Sequence, residues 1–427
     1  MARRKGEIPS HVKELQRQVL HPKSEHPVIS LFEEIEDPRK PSLSFRHPLT
    51  SVLFMVLNAT ICGANDWAKV VVMSQGMKDW LSQYVDMSGG IPCERTFKNI
   101  FNVLKPELLE KTLQDFATLL RKKMPQEVIS FDGQSKRGTA DKQKELGAIH
   151  LLNAWSADNS ICLGQLKVGD KSNEIPSMPK LMDALDLKDT IIIADAMNTQ
   201  KATVKKAIEK EADYLLPVKE NQPSLLEEIR SSFENLDNEF VAEKVRWERN
   251  IKNARKKRDK SRLEDLLKAG PPTCGACHWQ SEPEKVHGRI ETRTCTVMPV
   301  GDIPSKDDWE GLQSIARITR ERIAGETLSH ETIYYITSLK PNAVLIGETA
   351  REHWGVENGL HWRLDVVFRQ DKSRYRDRVG ASNQAVMNKI ALNALVRETT
   401  LKKGVATKQC AAACNPEYRE KILKNLF

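Results

Sequence analysis

Two aspartates in this sequence directly follow predicted strands, which is where an α/β protein can place chemistry. Asp132 ends the short strand predicted for EVISFD, and Asp195 comes after the run TIIIA. Such an uninterrupted apolar run is typical of an internal strand that is covered on both faces. An acid just beyond that strand lies at the edge of the sheet where ligands bind. The motif around Asp195 is equally compatible with an N-cap of the following helix.

A third carboxylate, Glu357, lies in the stretch REHWGVENGLHWRLDVVF. If this stretch is helical, His353, Glu357 and His361 share one face of the helix. An acid in the middle of an aromatic, partly buried face needs a partner, and a metal ion can be that partner. Asp365 is the main competitor for this role, and Asp371 is a weaker one.

The aromatic residues of the same stretch also have a structural interpretation. We expect Trp354 and Trp362 to anchor the core, and His353 and His361 can equally be hydrogen-bonded core or supporting groups.

Two aspartates at one edge of a sheet repel each other unless a cation lies between them. Hard divalent ions that prefer oxygen ligands, Mg²⁺ or Mn²⁺, suit such a pair. The sequence therefore predicts a divalent metal site at Asp132 and Asp195, completed by Glu357.

The order of elements between residues 126 and 219 places these acids in a fold class. The predicted order is β-β-β-α-β-α-β, in which short loops make the first three strands antiparallel and helical crossovers make the later strands parallel. This mixed sheet is the layout of the ribonuclease H-like fold. In that layout Asp132 and Asp195 lie on neighbouring strands, so their carboxylates can meet at one edge.

The rest of the chain is predicted to surround this core. We expect a helical domain with a possible role in DNA binding before it, an insertion built from a basic helical arm and strands within it, and then the last helices of the core and a basic tail. The segments, in that order, are 1–125, 220–340, 341–400 and 401–427. The turn SGGIP suggests a helix-turn-helix in the first domain, although an ordinary helical bundle explains the same pattern.

The charge pattern indicates a polyanionic partner. The 427 residues carry 66 Lys and Arg against 58 Asp and Glu, a net charge of +8. The excess is concentrated at 246–262, with nine basic and two acidic residues, a stripe that can contact phosphates or simply be solvated. Candidates for DNA contact are the basic quartet and several loop residues: Arg255, Lys256, Lys257, Arg258, Arg137, Lys171, Lys219, Asn221 and Gln222.

The remaining features limit the compartment and the cofactors. The apolar run at 49–62 is too short to span a bilayer, and the chain opens without a secretory signal pattern, so we expect a cytoplasmic protein with no membrane contact. Cys274 and Cys277 have the spacing of a zinc-binding pair, with His278, His287 and Cys295 nearby. Ordinary reduced thiols are the simpler interpretation, because no second pair with metal-ligand spacing occurs after them.

Several motifs together resemble the DDE transposases of bacterial insertion sequences, in the ISAs-type or H-repeat-associated branch. The matching blocks occur in the order typical of that family: ISFDGQSKRGT, KVGDKSNEIPSMPKLMDAL, IIIADAMNTQ, DYLLPVKENQ, HGRIETR and HWGVENGLHWRLDVVF. The resemblance covers residues 27 to 397 and implies that Asp132, Asp195 and Glu357 are the catalytic triad.

The resemblance also implies a mechanism and partners. Two ions of Mg²⁺ or Mn²⁺ would serve DNA strand cleavage and strand transfer on transposon ends and target DNA, by a homodimer or higher multimer. Related families place Tyr, Arg and Lys around the Glu. This sequence has other residues there, so phosphate contact falls to Arg351, His353 or Arg363. A DNA-binding protein derived from a transposase, or a nuclease that cuts without joining, are the alternatives.

Overall fold

The computed structural model describes residues 26–39, 46–169, 174–272, 275–286 and 288–424. The described residues form two compact units, the first from those within 26–123, 132–169 and 355–424 and the second from those within 124–131 and 174–354. This division differs from the consecutive segments predicted above, because each unit combines stretches that are far apart in the chain.

The secondary structure elements are numbered in chain order. The helices are α1 (Pro27–Glu33), α2 (Leu49–Ile61), α3 (Trp67–Gly76), α4 (Lys78–Leu81), α5 (Glu94–Val103), α6 (Pro106–Leu120), α7 (Ser177–Asp183), α8 (Lys201–Glu209), α9 (Pro223–Lys257), α10 (Lys260–Ala269), α11 (Ala343–Glu352), α12 (Arg378–Arg397), α13 (Val405–Cys414) and α14 (Pro416–Lys424). The strands are β1 (Glu127–Lys136), β2 (Ile149–Ser156), β3 (Ile161–Lys167), β4 (Thr190–Ala194), β5 (Asp213–Val218), β6 (Cys277–Gln280), β7 (Glu284–Val286), β8 (Arg289–Pro299), β9 (Ser314–Ala324) and β10 (Thr327–Thr337). The predicted order β-β-β-α-β-α-β is confirmed from β1 to β5.

Helix α12 is the centre of the first unit. It is almost entirely buried and packs against α2, α5 and α6 and against the strands β2 and β3. Its polar residues are hydrogen-bonded, as buried polar groups must be. Asn393, for example, donates to the carbonyl oxygen of Cys162 at 2.8 Å and accepts from the Cys162 amide at 2.8 Å. The N-terminal helices and this C-terminal helix therefore share one core, whereas the sequence suggested separate domains.

The last segment of the chain, predicted as a basic tail, contains the helices α13 and α14. Ile422 and Leu423 are buried, and the ammonium group of Lys408 donates to the carbonyl oxygen of Leu395 at 2.9 Å. The basic composition concealed a small apolar face, because long Lys and Arg side chains can reach water from partly buried positions.

The second unit is built on a mixed sheet with the strand order β1-β4-β5-β10-β9-β8-β6, and β7 pairs with β8. The pairs β1–β4 and β4–β5 are parallel, whereas the later pairs are antiparallel. Strand β10 pairs directly with β5, for example through Tyr335 and Pro217. The strands of the predicted insertion therefore continue the same sheet.

The predicted basic arm is a pair of helices in the second unit. Helix α9 has 35 residues, and its side-chain packing is concentrated near its two ends. The indole of Trp247 on α9 donates to the carbonyl oxygen of Leu266 on α10 at 3.2 Å, so the two helices are neighbours. Arg258 joins them in a left-handed conformation with φ of 56°. No helix among the described residues has the length and apolar character needed to cross a bilayer.

Strand β1 is longer than the sequence predicted. Its parallel pairing with β4 ends at Phe131 and Ala194, and β4 itself ends there. Strand β1 continues to Lys136, so Asp132 lies within the strand and not at its end. The extension is held in the first unit, where the buried ammonium of Lys136 donates to the carbonyl oxygen of Ala381 at 3.2 Å.

Candidate active site

Asp132 lies in a cluster of potential metal ligands in the first unit. Asp132, Glu357 and His361 each offer a ligand atom, and these atoms all lie within 4.8 Å of one another. The Nδ1 atom of His361 is 3.4 Å from Asp132 Oδ2 and 4.0 Å from Glu357 Oε2. The carboxylate of Asp132 is shielded, with 12% of its side chain exposed, whereas the Glu357 side chain is 60% exposed.

A distorted helical turn presents Glu357 and His361 to Asp132. The backbone of Glu357–His361 forms a π-helical turn, a form that is frequent at functional sites. Gly359 lies in this turn, and a Cβ atom there would be 2.6 Å from Cζ2 of the buried Trp155 on β2. The absence of a side chain at Gly359 therefore allows the turn to pack closely against β2.

Asp365, the competing third acid, has a different partner. Its Oδ1 atom accepts a hydrogen bond of 3.0 Å from the amide of Gln134, two residues beyond Asp132 on β1. Burial raises the pKa of Asp365, the charge of Asp371 raises it further, and the Gln134 hydrogen bond opposes these effects. The arrangement suits a group that holds the C-terminal helical stretch to β1, while Glu357 reaches the cluster.

The prediction that Trp354 and Trp362 anchor the core is wrong. Both side chains are more than half exposed, at 53% and 55%. The buried apolar positions of the stretch are Val356, Leu360, Leu364 and Phe368, each four residues from the next. Trp362 is out of phase with that spacing, and Trp354 lies instead against the guanidinium of Arg320 in the second unit, 5.6 Å from its ring centre.

Asp195 has its own histidine partner in the second unit. The Nε2 atom of His353 is 3.1 Å from Asp195 Oδ1, whose side chain is 62% exposed. The hydrogen bond from His353 is the main cause that lowers the pKa of Asp195, and the charge of Lys219 adds to it. Asp195 makes no side-chain capping bond to the short turn that comes after it, Ala196–Asn198. The N-cap interpretation therefore finds no support in this turn.

Asn221 and Gln222, predicted as DNA contacts, brace the loop after Asp195. The Asn221 amide donates to the carbonyl oxygen of Ala196 at 2.6 Å, and the Gln222 amide donates to that of Thr199 at 2.9 Å. These bonds fix the backbone next to Asp195. Their predicted contact with DNA stays a prediction, and these backbone contacts could not be foreseen because a side-chain to backbone bond leaves no trace in the sequence.

Other predicted DNA contacts lie at the surface. Lys219 and the basic quartet Arg255–Arg258 are exposed, and the Arg137 side chain is 84% exposed while its amide nitrogen donates to Asp371 Oδ1 at 3.1 Å. Lys171 lies outside the described residues.

The three residues predicted to replace the family's basic pattern are all engaged or partly buried. Arg351 donates to Glu284 Oε2 at 2.6 Å, and His353 bonds Asp195 as described above. Arg363 is partly buried, and this burial lowers its pKa.

Two of the five residues named for the possible zinc site, Cys274 and His287, lie outside the described residues. Among the others, Cys277 is exposed, and burial raises the pKa of the Cys295 thiol to about 12. His278 Nδ1 lies 3.0 Å from the hydroxyl oxygen of Thr296.

His361 is the member of the cluster that the sequence reasoning undervalued. It was placed on the right face of the helix but interpreted as a core or supporting group. The signal was its position four residues after Glu357, which brings two side chains to one face. Gln134 was missed because nothing in its local pattern distinguishes it.

Asp132 lies in a cluster of potential metal ligands, and Asp195 directly follows strand β4, which pairs with β1. Such acids are typical of metal-dependent enzymes that process nucleic acids. Family models agree with that class: the Transposase DDE domain matches residues 117–394, and the DDE_Tnp_1-associated domain matches residues 29–117. The chain therefore belongs to the DDE transposase family, and it is a DNA transposase. The resemblance recognised from the sequence is confirmed.

Two relatives from Escherichia coli support the same family. The chain is 32% identical over 384 residues to the protein named "Putative transposase YncI" of Escherichia coli O157:H7, covering 88% of this chain and 90% of that one. It is 30% identical over 383 residues to "H repeat-associated putative transposase YhhI" of Escherichia coli strain K12, covering 88% and 92%. Among solved structures, a piggyBac transposase synaptic complex with hairpin DNA matches 94% of this chain and 77% of that chain at a TM-score of 0.40 and 12% identity.

Proposed function

We propose that Asp132, Asp195 and Glu357 are the acidic triad of this transposase and that strands β1 to β5 form a ribonuclease H-like core around it. The observation that carries the proposal is the convergence of Asp132 and Glu357, with His361, from strand and helix. Asp195 is included because of the pairing of strands β1 and β4. Phe131 and Ala194 are the last two residues that face each other in this pairing, and Asp132 and Asp195 directly follow them.

The donor set fits hard divalent ions. Carboxylate oxygens are the ligands that Mg²⁺ and Mn²⁺ prefer, and clustered acids are stable as anions only with a cation among them. We propose that Asp132, Asp195 and Glu357 would together hold two such ions per site. Bound ions of this kind activate an attacking hydroxyl and stabilise the leaving oxygen of a phosphodiester.

The side chains around the triad have separable duties in this proposal. His353 orients the exposed Asp195 carboxylate and keeps it ionised. Asn221 and Gln222 hold the loop after Asp195. The bond between Gln134 and Asp365 keeps the C-terminal helical stretch on β1 and so positions Glu357. The same residues can serve both the hydrolysis of one strand and the joining of its 3′-hydroxyl to target DNA, because both reactions displace an oxygen at phosphorus.

Metal titration with paired variants tests the triad. We expect Glu357→Gln to lose at least one Mn²⁺ site in calorimetry and to lose strand cleavage and joining while it still binds DNA. Asp365→Asn is the matched control, because it also neutralises an acid on the same stretch, and it should keep its metal stoichiometry. If Asp365→Asn is inactive while Glu357→Gln transfers strands normally, the third acid has been assigned to the wrong residue.

We further propose that the exposed quartet Arg255, Lys256, Lys257 and Arg258, at the junction of α9 and α10, contacts DNA phosphates. The exposed cations at 246–262 support this role, since each neutralised phosphate contributes about −0.9 to the log–log salt slope of binding. Transposon ends and target DNA are the proposed ligands of a homodimer or higher multimer, acting on bacterial DNA in the cytoplasm. Mass photometry with and without end DNA tests the assembly.

Replacing the four basic residues with Gln should flatten the salt slope by about 3 to 4. The matched control removes the same charge from four other lysines: Lys188, Lys201, Lys206 and Lys210. Three of these are paired with acids, Lys188 with Glu211, Lys201 with Asp308 and Lys206 with Asp183. Equal slopes for the two variants would show that only net charge matters and would remove the arm from the interface.

A further inference from the structure

The ring of His361 lies between two carboxylates of the proposed active site. Its Nδ1 atom is 3.4 Å from Asp132 Oδ2 and 4.0 Å from Glu357 Oε2. We infer that His361 is a nitrogen ligand of a metal ion held by Asp132 and Glu357, which gives one ion of the site a mixed nitrogen and oxygen coordination. The inference rests on the proposed metal role of these two acids.

The distances agree with a common ion. In octahedral coordination with bonds of about 2.1 Å, adjacent ligand atoms are about 3 Å apart and opposite ones about 4 Å apart. The three ligand atoms here lie within 4.8 Å of one another, so side-chain movements of less than about 1 Å bring them to such a geometry. The exposed Glu357 side chain has the freedom to make most of this movement.

The surroundings of His361 suit a ligand that is fixed before the ion arrives. Its side chain is only 8% exposed, and its neighbour Leu360 is fully buried. Gly359 brings the turn against Trp155, which leaves little freedom for the backbone that carries the ring. A ligand held in place by packing loses little conformational entropy when the ion binds.

A ring nitrogen between two carboxylates can meet a cation in two ways. The cation is either a proton on the ring, which makes His361 an ion-pair partner of Asp132, or a metal ion to which Nδ1 offers its lone pair. Imidazole favours transition ions, whereas carboxylates alone suit Mg²⁺ and Mn²⁺ equally. The two possibilities therefore differ in the atoms bound to the metal and in the metal preference.

Electron spin echo spectroscopy of bound Mn²⁺ distinguishes them. The full-length wild-type protein with one equivalent of Mn²⁺ should show modulation from a directly bound ¹⁴N nucleus. Growth with ¹⁵N-histidine should replace that signal by the ¹⁵N pattern, a readout that needs no variant. His361→Gln should lose the modulation and bind Mn²⁺ about tenfold or more weakly, with a smaller loss for Mg²⁺.

His353→Gln is the matched control, because it removes the histidine that bonds Asp195, and it should keep the modulation. Bound Mn²⁺ without nitrogen modulation in the wild type would overturn the inference and leave the acidic triad standing. Loss of the signal in His353→Gln and its retention in His361→Gln would overturn it by moving the ligand to the other histidine. A wild-type protein that binds no Mn²⁺ would overturn the proposed metal site itself.

Discussion

Asp132 and Asp195 occupy equivalent places in the strand pattern but have different surroundings. Each directly follows one member of the registered pair Phe131 and Ala194, and each has a histidine partner. Asp132 lies inside a strand with 12% of its side chain exposed, whereas Asp195 lies in a loop with 62% exposed. Strand order sets where an acid lies along the sheet. The conformation of the chain at and after the acid decides how far its carboxylate is shielded from solvent. We expect the shielded carboxylate to depend more strongly on its histidine partner.

The largest expected effect comes from removing either charge. Asp132→Asn and Asp195→Asn should each lower strand cleavage by about 10³-fold, which corresponds to about 4 kcal/mol of transition-state stabilisation. Single-turnover cleavage of labelled end DNA measures this, with DNA affinity unchanged as the control. Near-normal cleavage by Asp195→Asn, with cleavage lost in Asp132→Asn, would show that the two acids are not equivalent and would exclude Asp195 from the triad.

Glu110, a buried acid outside the cluster, shows how burial of a carboxylate affects stability. Burial raises the pKa of Glu110 from 4.5 to about 7, with hydrogen bonds from the Lys167 backbone and the Gln165 side chain opposing the shift. The folded protein therefore holds this proton more tightly, and the free energy of unfolding falls as pH rises from about 4.5 to 7. Glu110→Gln should raise it by about 3 kcal/mol at pH 8 and by much less at pH 5.

Urea unfolding at the two pH values measures the effect of Glu110→Gln. Glu107→Gln, an exposed position on the same helix, is the comparison and should give a smaller gain at pH 8, because the charge of Glu107 adds to the rise in the pKa of Glu110. A gain that is independent of pH would show that packing, and not the buried charge, is responsible.

A change in the packing of the π-helical turn against β2 should have an intermediate effect on stability and metal binding. Gly359→Ala would place a Cβ atom 2.6 Å from the Trp155 ring, so the turn that carries Glu357 and His361 must shift. We expect a loss of about 1–3 kcal/mol in stability, typical of overpacking, together with weaker Mn²⁺ binding. Gly76→Ala is the control, since a Cβ there meets no atom within 4 Å. Unchanged metal affinity in Gly359→Ala would show that the turn does not position the ligands.

The smallest effect should come from His353. Because the Asp195 side chain is largely exposed, water and Lys219 can replace part of what His353 provides. His353→Gln should lower single-turnover strand transfer by less than tenfold, about 1 kcal/mol. His361→Gln, which removes the partner of the shielded Asp132, should lower single-turnover strand transfer more. A larger loss of strand transfer in His353→Gln than in His361→Gln would contradict the idea that a shielded acid depends more strongly on its histidine partner.

The elements of this protein were readable from local patterns, while several roles were not. The apolar run before Asp195 correctly indicated a strand, and the predicted order of strands and helices between residues 126 and 219 was correct. The prediction for Trp354 and Trp362 failed because residue type was taken as a guide to burial. The segment 401–427 was described only as a basic tail, because composition alone was considered, and it contains the helices α13 and α14.

By itself, the sequence determined the family, the strand order from β1 to β5, and the acids that could form a site. These depend on periodicity and on ordered motifs, which are properties of the chain. Only the tertiary structure decided that His361 joins Asp132 and Glu357, that Asp365 binds Gln134, and that Asn221 and Gln222 brace a loop. Those contacts depend on a widened helical turn and on residues distant in the chain, and neither has a local signature because side-chain direction there is set by packing.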